Sequence, residues 1–391
     1  MEDTFKMVAK TMAGLEGVLA DELTVLGAEN VEPLYRAVSF EGDKALMYKA
    51  NYCCRTALRI LKPIKSFVAR NELMLYNNIF KINWHEYFNI NETFAIDAVV
   101  SGNYFKHSQY AALKVKDAIA DEFRQHFGAR PSVDVDNPDL RINIHIENEK
   151  VTLSLDSSGE SLHKRGYRKT VDKAPISEVL AAGMVKLTGW KYDCNFVDCM
   201  CGSGTIPIEA AMCAMNIPAG YFRDKFGFMT WHDFDKKLWE KIQEEADDAI
   251  QDFDYEIFAS DHSAKAVEIA KANIASAHLN HDIKLSKQDM FTMTPPEGGG
   301  IMIINPPYGE RLEERDIISL YKSIGDALKK NFKGFEAWII SSNKDVLKQI
   351  GLKPSSKIVL YNGPLECKFE KFEIFEGSYK EMKMREGANS Y

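Results

Sequence analysis

Residues 301–304 (Ile-Met-Ile-Ile) run directly into Asn305-Pro306-Pro307-Tyr308. An amide side chain, free backbone carbonyls and an aromatic ring at one tip can grip a flat, amine-bearing ring. The Asn305 oxygen and the Pro306 carbonyl can accept both hydrogens of an exocyclic base amine. Such an amine is a poor nucleophile, because its lone pair is delocalised into the ring. Holding both hydrogens pulls the nitrogen toward tetrahedral geometry and aims its lone pair at a methyl donor. Tyr308 would stack on the base. No strong base or metal is required before in-line displacement. This clamp fits guanine and adenine alike. The competing structural reading is a turn that ends a buried strand, since two prolines cannot extend a ladder or enter a helix.

Three acidic residues at similar places weigh against that reading. Asp198 precedes Cys199-Met200-Cys201-Gly202-Ser203-Gly204-Thr205, Asp261 precedes His262, and Asp289 precedes Met290. Each follows a short apolar run that reads as a strand. Two glycines at a strand-to-helix turn let the backbone approach a ligand closely, and the helix start presents free N–H groups. An acid after the second strand suits two ribose hydroxyls, and one after the third suits an adenine amino group. Pro207 stands where a GxGxxG turn would have its third glycine. That departure weakens a pyrophosphate or nicotinamide reading. A positively charged sulfonium nucleoside, favoured by surrounding acids, fits better.

These tips need elements to place them. From residue 175 onward, strands alternate with helices of βαβ length, which predicts a mostly parallel, doubly wound α/β sheet with ligands at the carboxyl ends of its strands. The charged helix over residues 235–251 is expected to pack on that sheet through Leu238, Ile242 and Ala246. Residues 4–155 mix short strands with amphipathic helices and predict an α+β module. It includes a hairpin around Asn148-Glu149 and a long helix capped by Ser108. Between them lies the densest basic stretch, His163-Lys164-Arg165-Gly166-Tyr167-Arg168-Lys169. It reads either as a solvated linker or as a phosphate-contacting strap in which Tyr167 stacks or packs.

The chain has 391 residues, 45% apolar and 27% charged, with net charge −8. Those values describe an ordinary globular protein of two or three domains with no bilayer-spanning run. The acidity sits mainly in the C-terminal half, so a near-neutral N-terminal module with basic patches remains compatible with RNA. The start, Met1-Glu2-Asp3-Thr4, does not resemble a signal peptide. Seven scattered cysteines without a His-supported CxxC predict reduced thiols in a cytoplasmic protein and no structural metal.

Taken together, the stretch from Asp198 to Thr205, Asp261, Asp289 and Asn305-Pro-Pro-Tyr-Gly-Glu-Arg-Leu312 resembles class I S-adenosylmethionine-dependent methyltransferases acting on exocyclic amines. With GESLHKRGYRK upstream, the wording is similar to RNA guanine-N2 methyltransferases that carry an N-terminal THUMP domain, in particular the 23S ribosomal RNA m2G family. The residue 226–239 excursion also resembles this family. The resemblance covers essentially the whole chain. It implies a ferredoxin-like lead-in over residues 1–56, a THUMP RNA-binding domain over 57–157, a basic linker over 158–174 and a Rossmann-like methyltransferase domain over 175–391. It implies S-adenosyl-L-methionine as cofactor, held by Asp198, Cys201, Gly202, Ser203, Gly204, Thr205, Asp261, His262, Asp289 and Met290. Catalysis would fall to Asn305, Pro306, Pro307 and Tyr308, and RNA contact to Lys164, Arg165, Tyr167, Arg168 and Lys169. Ribosomal RNA is the expected partner. The alternatives are tRNA, adenine-N6 transfer, or a non-catalytic RNA-binding or ribosome-assembly protein.

Overall fold

The computed structural model describes residues 4–170, 175–307 and 314–375. It divides into two compact units. Of the described residues, 4–11, 19–164 and 223–248 form the first; 12–18, 165–170, 175–222, 249–307 and 314–375 form the second.

The first unit holds β1 (Phe5–Lys10), α1 (Glu16–Val25), β2 (Glu29–Leu34), β3 (Ala37–Gly42), α2 (Lys44–Cys53), β4 (Arg59–Val68), α3 (Glu72–Phe80), β5 (Thr93–Ser101), α4 (Ser108–Phe127), β6 (Ser132–Val133), β7 (Leu140–Glu147) and β8 (Lys150–Asp156). Its eight strands form one mixed sheet in the order β2-β3-β1-β4-β8-β7-β5-β6. Alternation of apolar residues buries Ile142, Ile144 and Ile146 of β7. The expected hairpin joins β7 to β8, with Asn148 at positive φ in its turn. Pro63 has no N–H for the ladder, and the β4–β8 register shifts at that residue. Ser108 lies inside α4 with His107 at its cap, and no side chain bonds there.

The second unit begins with α5 (Glu178–Leu187), β9 (Asn195–Asp198) and α6 (Thr205–Ala214). The chain then supplies α7 (Lys236–Asp248) to the first unit, where it packs on α2. The expectation that this helix lies on the parallel sheet is therefore overturned. Its Trp239 meets Tyr52 edge-on at 5.4 Å and Phe228 at 5.2 Å, so an aromatic cluster determines its position.

The second unit resumes with β10 (Ile257–Asp261), α8 (Ala264–Ser276), β11 (Ile283–Lys287), β12 (Gly300–Ile304), α9 (Glu314–Asn331), β13 (Phe335–Ser341), α10 (Lys344–Leu347), β14 (Ser356–Asn362) and β15 (Leu365–Glu373). Strand order is β11-β10-β9-β12-β13-β15-β14, parallel through β13 and antiparallel after it. The mostly parallel, doubly wound sheet is as expected. Connections run outward in both directions from β9 and β12, which makes a switch point between them. The apolar run of β12 is buried on both faces, as a central parallel strand requires.

Candidate active site

A cavity of about 650 Å³ opens at the carboxyl ends of β9, β10 and β12. Its walls include Cys201, Gly202, Ser203, Thr205, Asp261, His262, Asp289, Met290, Asn305 and Pro307. These ten residues were all expected at the site.

The glycine turn is built by the backbone. Cys201 N–H donates to the Ser260 carbonyl at 3.0 Å, and Gly204 N–H to the Cys201 carbonyl at 2.8 Å. Gly202 and Gly204 take φ of 53° and 80°. A Cβ on Gly204 would sit 3.2 Å from the Ala270 methyl, so that glycine also permits α8 to pack close.

Asp261 is 8% exposed, and both its oxygens are engaged. Oδ2 accepts from Gly202 N–H at 3.1 Å and Oδ1 from Ser263 N–H at 2.9 Å. Each carboxylate oxygen keeps a further lone pair for a ligand hydroxyl. His262 beside it is 80% exposed at its side chain.

Asp198, the last residue of β9, is fully buried and is not part of the cavity wall. Its Oδ1 accepts from Met200 N–H at 3.0 Å, and Oδ2 has no partner among the described residues. Burial pushes its carboxyl up to about 8, the Asp261 charge adds to this and the Met200 N–H opposes it. Burial likewise raises the Cys199 and Cys201 thiols, which keeps them protonated and unreactive. Asp289 is exposed, and its Oδ1 accepts from Phe291 N–H at 2.9 Å, which fixes the loop after β11.

Asn305 stands at the end of β12. Its Oδ1 is buried and has no hydrogen-bond partner among the described residues. A buried acceptor without a donor costs about 1–3 kcal/mol, which a ligand donor would recover. Pro306 is buried behind it, and Tyr308 lies outside the described residues.

Sequence reasoning missed two parts of the wall. Pro175 and Ile176 form an apolar side. Asp316, Ser319, Leu320 and Ser323 of α9 form another, at spacings of three and four that place them on one helix face. That periodicity was available in the sequence.

The basic strap is corrected. Arg165 and Tyr167 are each 1% exposed. Tyr167 O–H donates to Glu209 Oε1 at 2.9 Å, and Arg165 pairs with the same carboxylate at 3.5 Å. Arg168 pairs with Glu178 at 2.7 Å. Burial raises the Tyr167 phenol well above its ordinary value, so it is neutral. These three side chains are engaged in packing and ion pairs in this structure, so they do not form a free phosphate-contacting surface. Buried acids on α5 and α6 draw them in. Lys164 and Lys169 remain exposed; Lys164 pairs with Glu160.

Among the described residues, no helix is long and apolar enough to cross a membrane. Family models match three segments: an RlmL ferredoxin-like domain at residues 6–61, a THUMP domain at 69–156 and an RMKL-like methyltransferase domain at 165–371. A Synechocystis protein provisionally named an RNA methyltransferase is 38% identical over 94% of this chain and 96% of its own. A ribosomal RNA large subunit methyltransferase K/L of Syntrophotalea carbinolica is 37% identical over 96% of this chain, which spans 54% of that relative. The crystal structure of SMU.472, provisionally described as a methyltransferase and complexed with SAH, matches with a TM-score of 0.87. It is 30% identical and covers 97% of this chain and 100% of that one. The chain belongs to the RMKL-like methyltransferase family with an N-terminal THUMP domain.

Proposed function

We propose that this protein transfers a methyl group from S-adenosyl-L-methionine to the exocyclic N2 of a guanosine in structured RNA, with large-subunit ribosomal RNA as the substrate. The observation that carries the reading is the buried Asn305 oxygen at the rim of a cavity, without a partner among the described residues. It is an acceptor waiting for a donor, and an exocyclic amine supplies one.

The residues present fit the cofactor. The glycine turn offers close backbone approach, Asp261 offers acceptors already held in place by N–H groups, and the cavity is walled by acids suited to a sulfonium. When bound, the cofactor supplies an electrophilic methyl. The protein's part is to orient. Asn305 Oδ1 and the Pro306 carbonyl take the two amine hydrogens, localise the nitrogen lone pair and fix its direction. Pro306 and Pro307 stiffen that tip through their fixed φ. Asp261 is assigned to the ribose and Asp289 to the adenine. Bringing a base to this tip requires it to leave its stack.

The THUMP match and the names of the relatives support RNA as the substrate class, and the K/L relatives support ribosomal RNA. This chain spans about half the length of the K/L relatives, so their whole activity is a proposal here and covers one methyltransferase domain. Residues 1–56, 57–157, 158–174 and 175–391 are assigned as lead-in, RNA-binding domain, linker and catalytic domain, with residues 223–248 of the last contributed to the first compact unit. Mass spectrometry of nucleosides from ribosomal and transfer RNA of cells lacking this protein tests the reading. Loss of one m2G from 23S RNA is expected. Loss confined to tRNA, or loss of an N6-methyladenosine, would replace the substrate, and no loss in either RNA would remove the activity.

A further inference from the structure

The basic stretch 163–169 reads from sequence as a linker or a phosphate-contacting strap, yet hydrogen bonds of Arg168 and Asn273 tie its end to the glycine turn. Arg168 Nε donates to Glu178 Oε1 at 2.7 Å. Its Nη2 donates to the Ile176 carbonyl and to Thr205 Oγ1, both at 3.0 Å. Asn273 of α8 fastens the next two residues. Its Oδ1 accepts from Lys169 N–H and Thr170 N–H at 3.1 and 3.2 Å. Its Nδ2 donates to the Thr170 and Ser203 carbonyls at 3.1 and 3.0 Å. The strap is thereby tied to both ends of the short segment from Ser203 to Thr205. Both of those residues line the cavity.

A guanidinium only donates, so Thr205 Oγ1 must accept from Arg168. The single Thr205 proton then points away from Arg168, either to Ser203 Oγ at 3.2 Å or into the cavity. Glu178 already balances the Arg168 charge, so Arg168 contributes direction more than field. An O–H held in one direction recognises an acceptor, and an anion most strongly. On the proposed cofactor the anionic group is the carboxylate of the methionine end.

We propose that Arg168 is a positioning residue: acting through Thr205, it orients that hydroxyl as a donor to the cofactor's carboxylate, while Asn273 holds the turn in register. This rests on the methyl-transfer reading above. Titration calorimetry with two probes tests it. S-adenosyl-L-homocysteine carries the carboxylate; 5′-methylthioadenosine lacks the whole amino-acid end. Arg168→Gln should weaken the first about tenfold to a hundredfold and leave the second unchanged. Thr205→Val should reproduce that loss, Thr205→Ser should restore binding, and the double variant R168Q/T205V should lose no more than either single change. Equal loss of both probes, additive losses, or full binding in Thr205→Val overturns the relay. If Arg168→Gln does not fold, the Thr205 pair makes the same comparison. A wild-type protein that binds neither probe overturns the methyl-transfer reading and the relay together, whereas failure of the relay alone leaves wild-type binding of both probes intact.

Discussion

The two strand tips that flank β9 are finished in opposite ways. Asp261 ends β10 with each carboxylate oxygen already accepting a backbone N–H. Asn305 follows β12 with a buried amide oxygen that accepts nothing among the described residues. The first tip is fixed before a ligand arrives, so binding there requires little reordering. The second carries an acceptor that no donor among the described residues meets and that an incoming donor would satisfy. A resident cofactor suits the first arrangement, and a substrate whose hydrogens complete the site suits the second.

The change that breaks this contrast most is Asn305→Ala. Methyl transfer should fall about a hundredfold or more, by analogy with removing one polar group from a preorganised site. Affinity for S-adenosyl-L-homocysteine should stay within about threefold, because the side chain meets the acceptor substrate. Labelled-methyl incorporation and calorimetry on one preparation measure both, and a fully active variant removes the clamp. Asp261→Ala strikes the other tip. Cofactor affinity should drop about tenfold to a hundredfold, since the ribose loses its acceptor and Gly202 N–H is released. Unchanged calorimetric affinity refutes the ribose assignment.

The smallest effect concerns Asp198, buried at the end of β9. Its folded pKa of about 8 lies above the ordinary 3.8, so the folded chain keeps a proton that the unfolded chain has lost across that interval. The stability it contributes is full below about pH 4 and is lost as pH rises toward about 8. Asp198→Asn should flatten that decline and melt higher than wild type at about pH 8. Parallel melting curves across the range would show that Asp198 is ionised when folded.

Much of this was readable from residue order. The strands of the second unit, the glycine turn and four polar strand tips follow from apolar runs broken by Gly, Asp and Pro, which are local signals. What failed was non-local. Ser108 has the chemistry of a cap, but the chain enters α4 at His107. Leu238, Ile242 and Ala246 mark a helix face without naming the surface it meets, and the aromatic residues of α2 decide that. The α9 wall shows how a legible periodicity can go unused when its partner surface is unknown.

The basic strap marks the limit most clearly. Composition made Arg165, Tyr167 and Arg168 look like a surface for phosphate, because charged side chains default to solvent. Glu178 lies on α5, 10 residues from Arg168, and Glu209 on α6, 42 residues from Tyr167, and both are buried. An unpaired buried carboxylate is expensive, so the fold brings cations to it. The sequence by itself determined which chemistry the chain carries: an amide-proline tip, a glycine turn and acids at strand ends, since residue type and local spacing fix these. Only the tertiary structure decided which polar groups are already partnered and which are left for a ligand. Hydrogen-bond satisfaction depends on what each group meets in space.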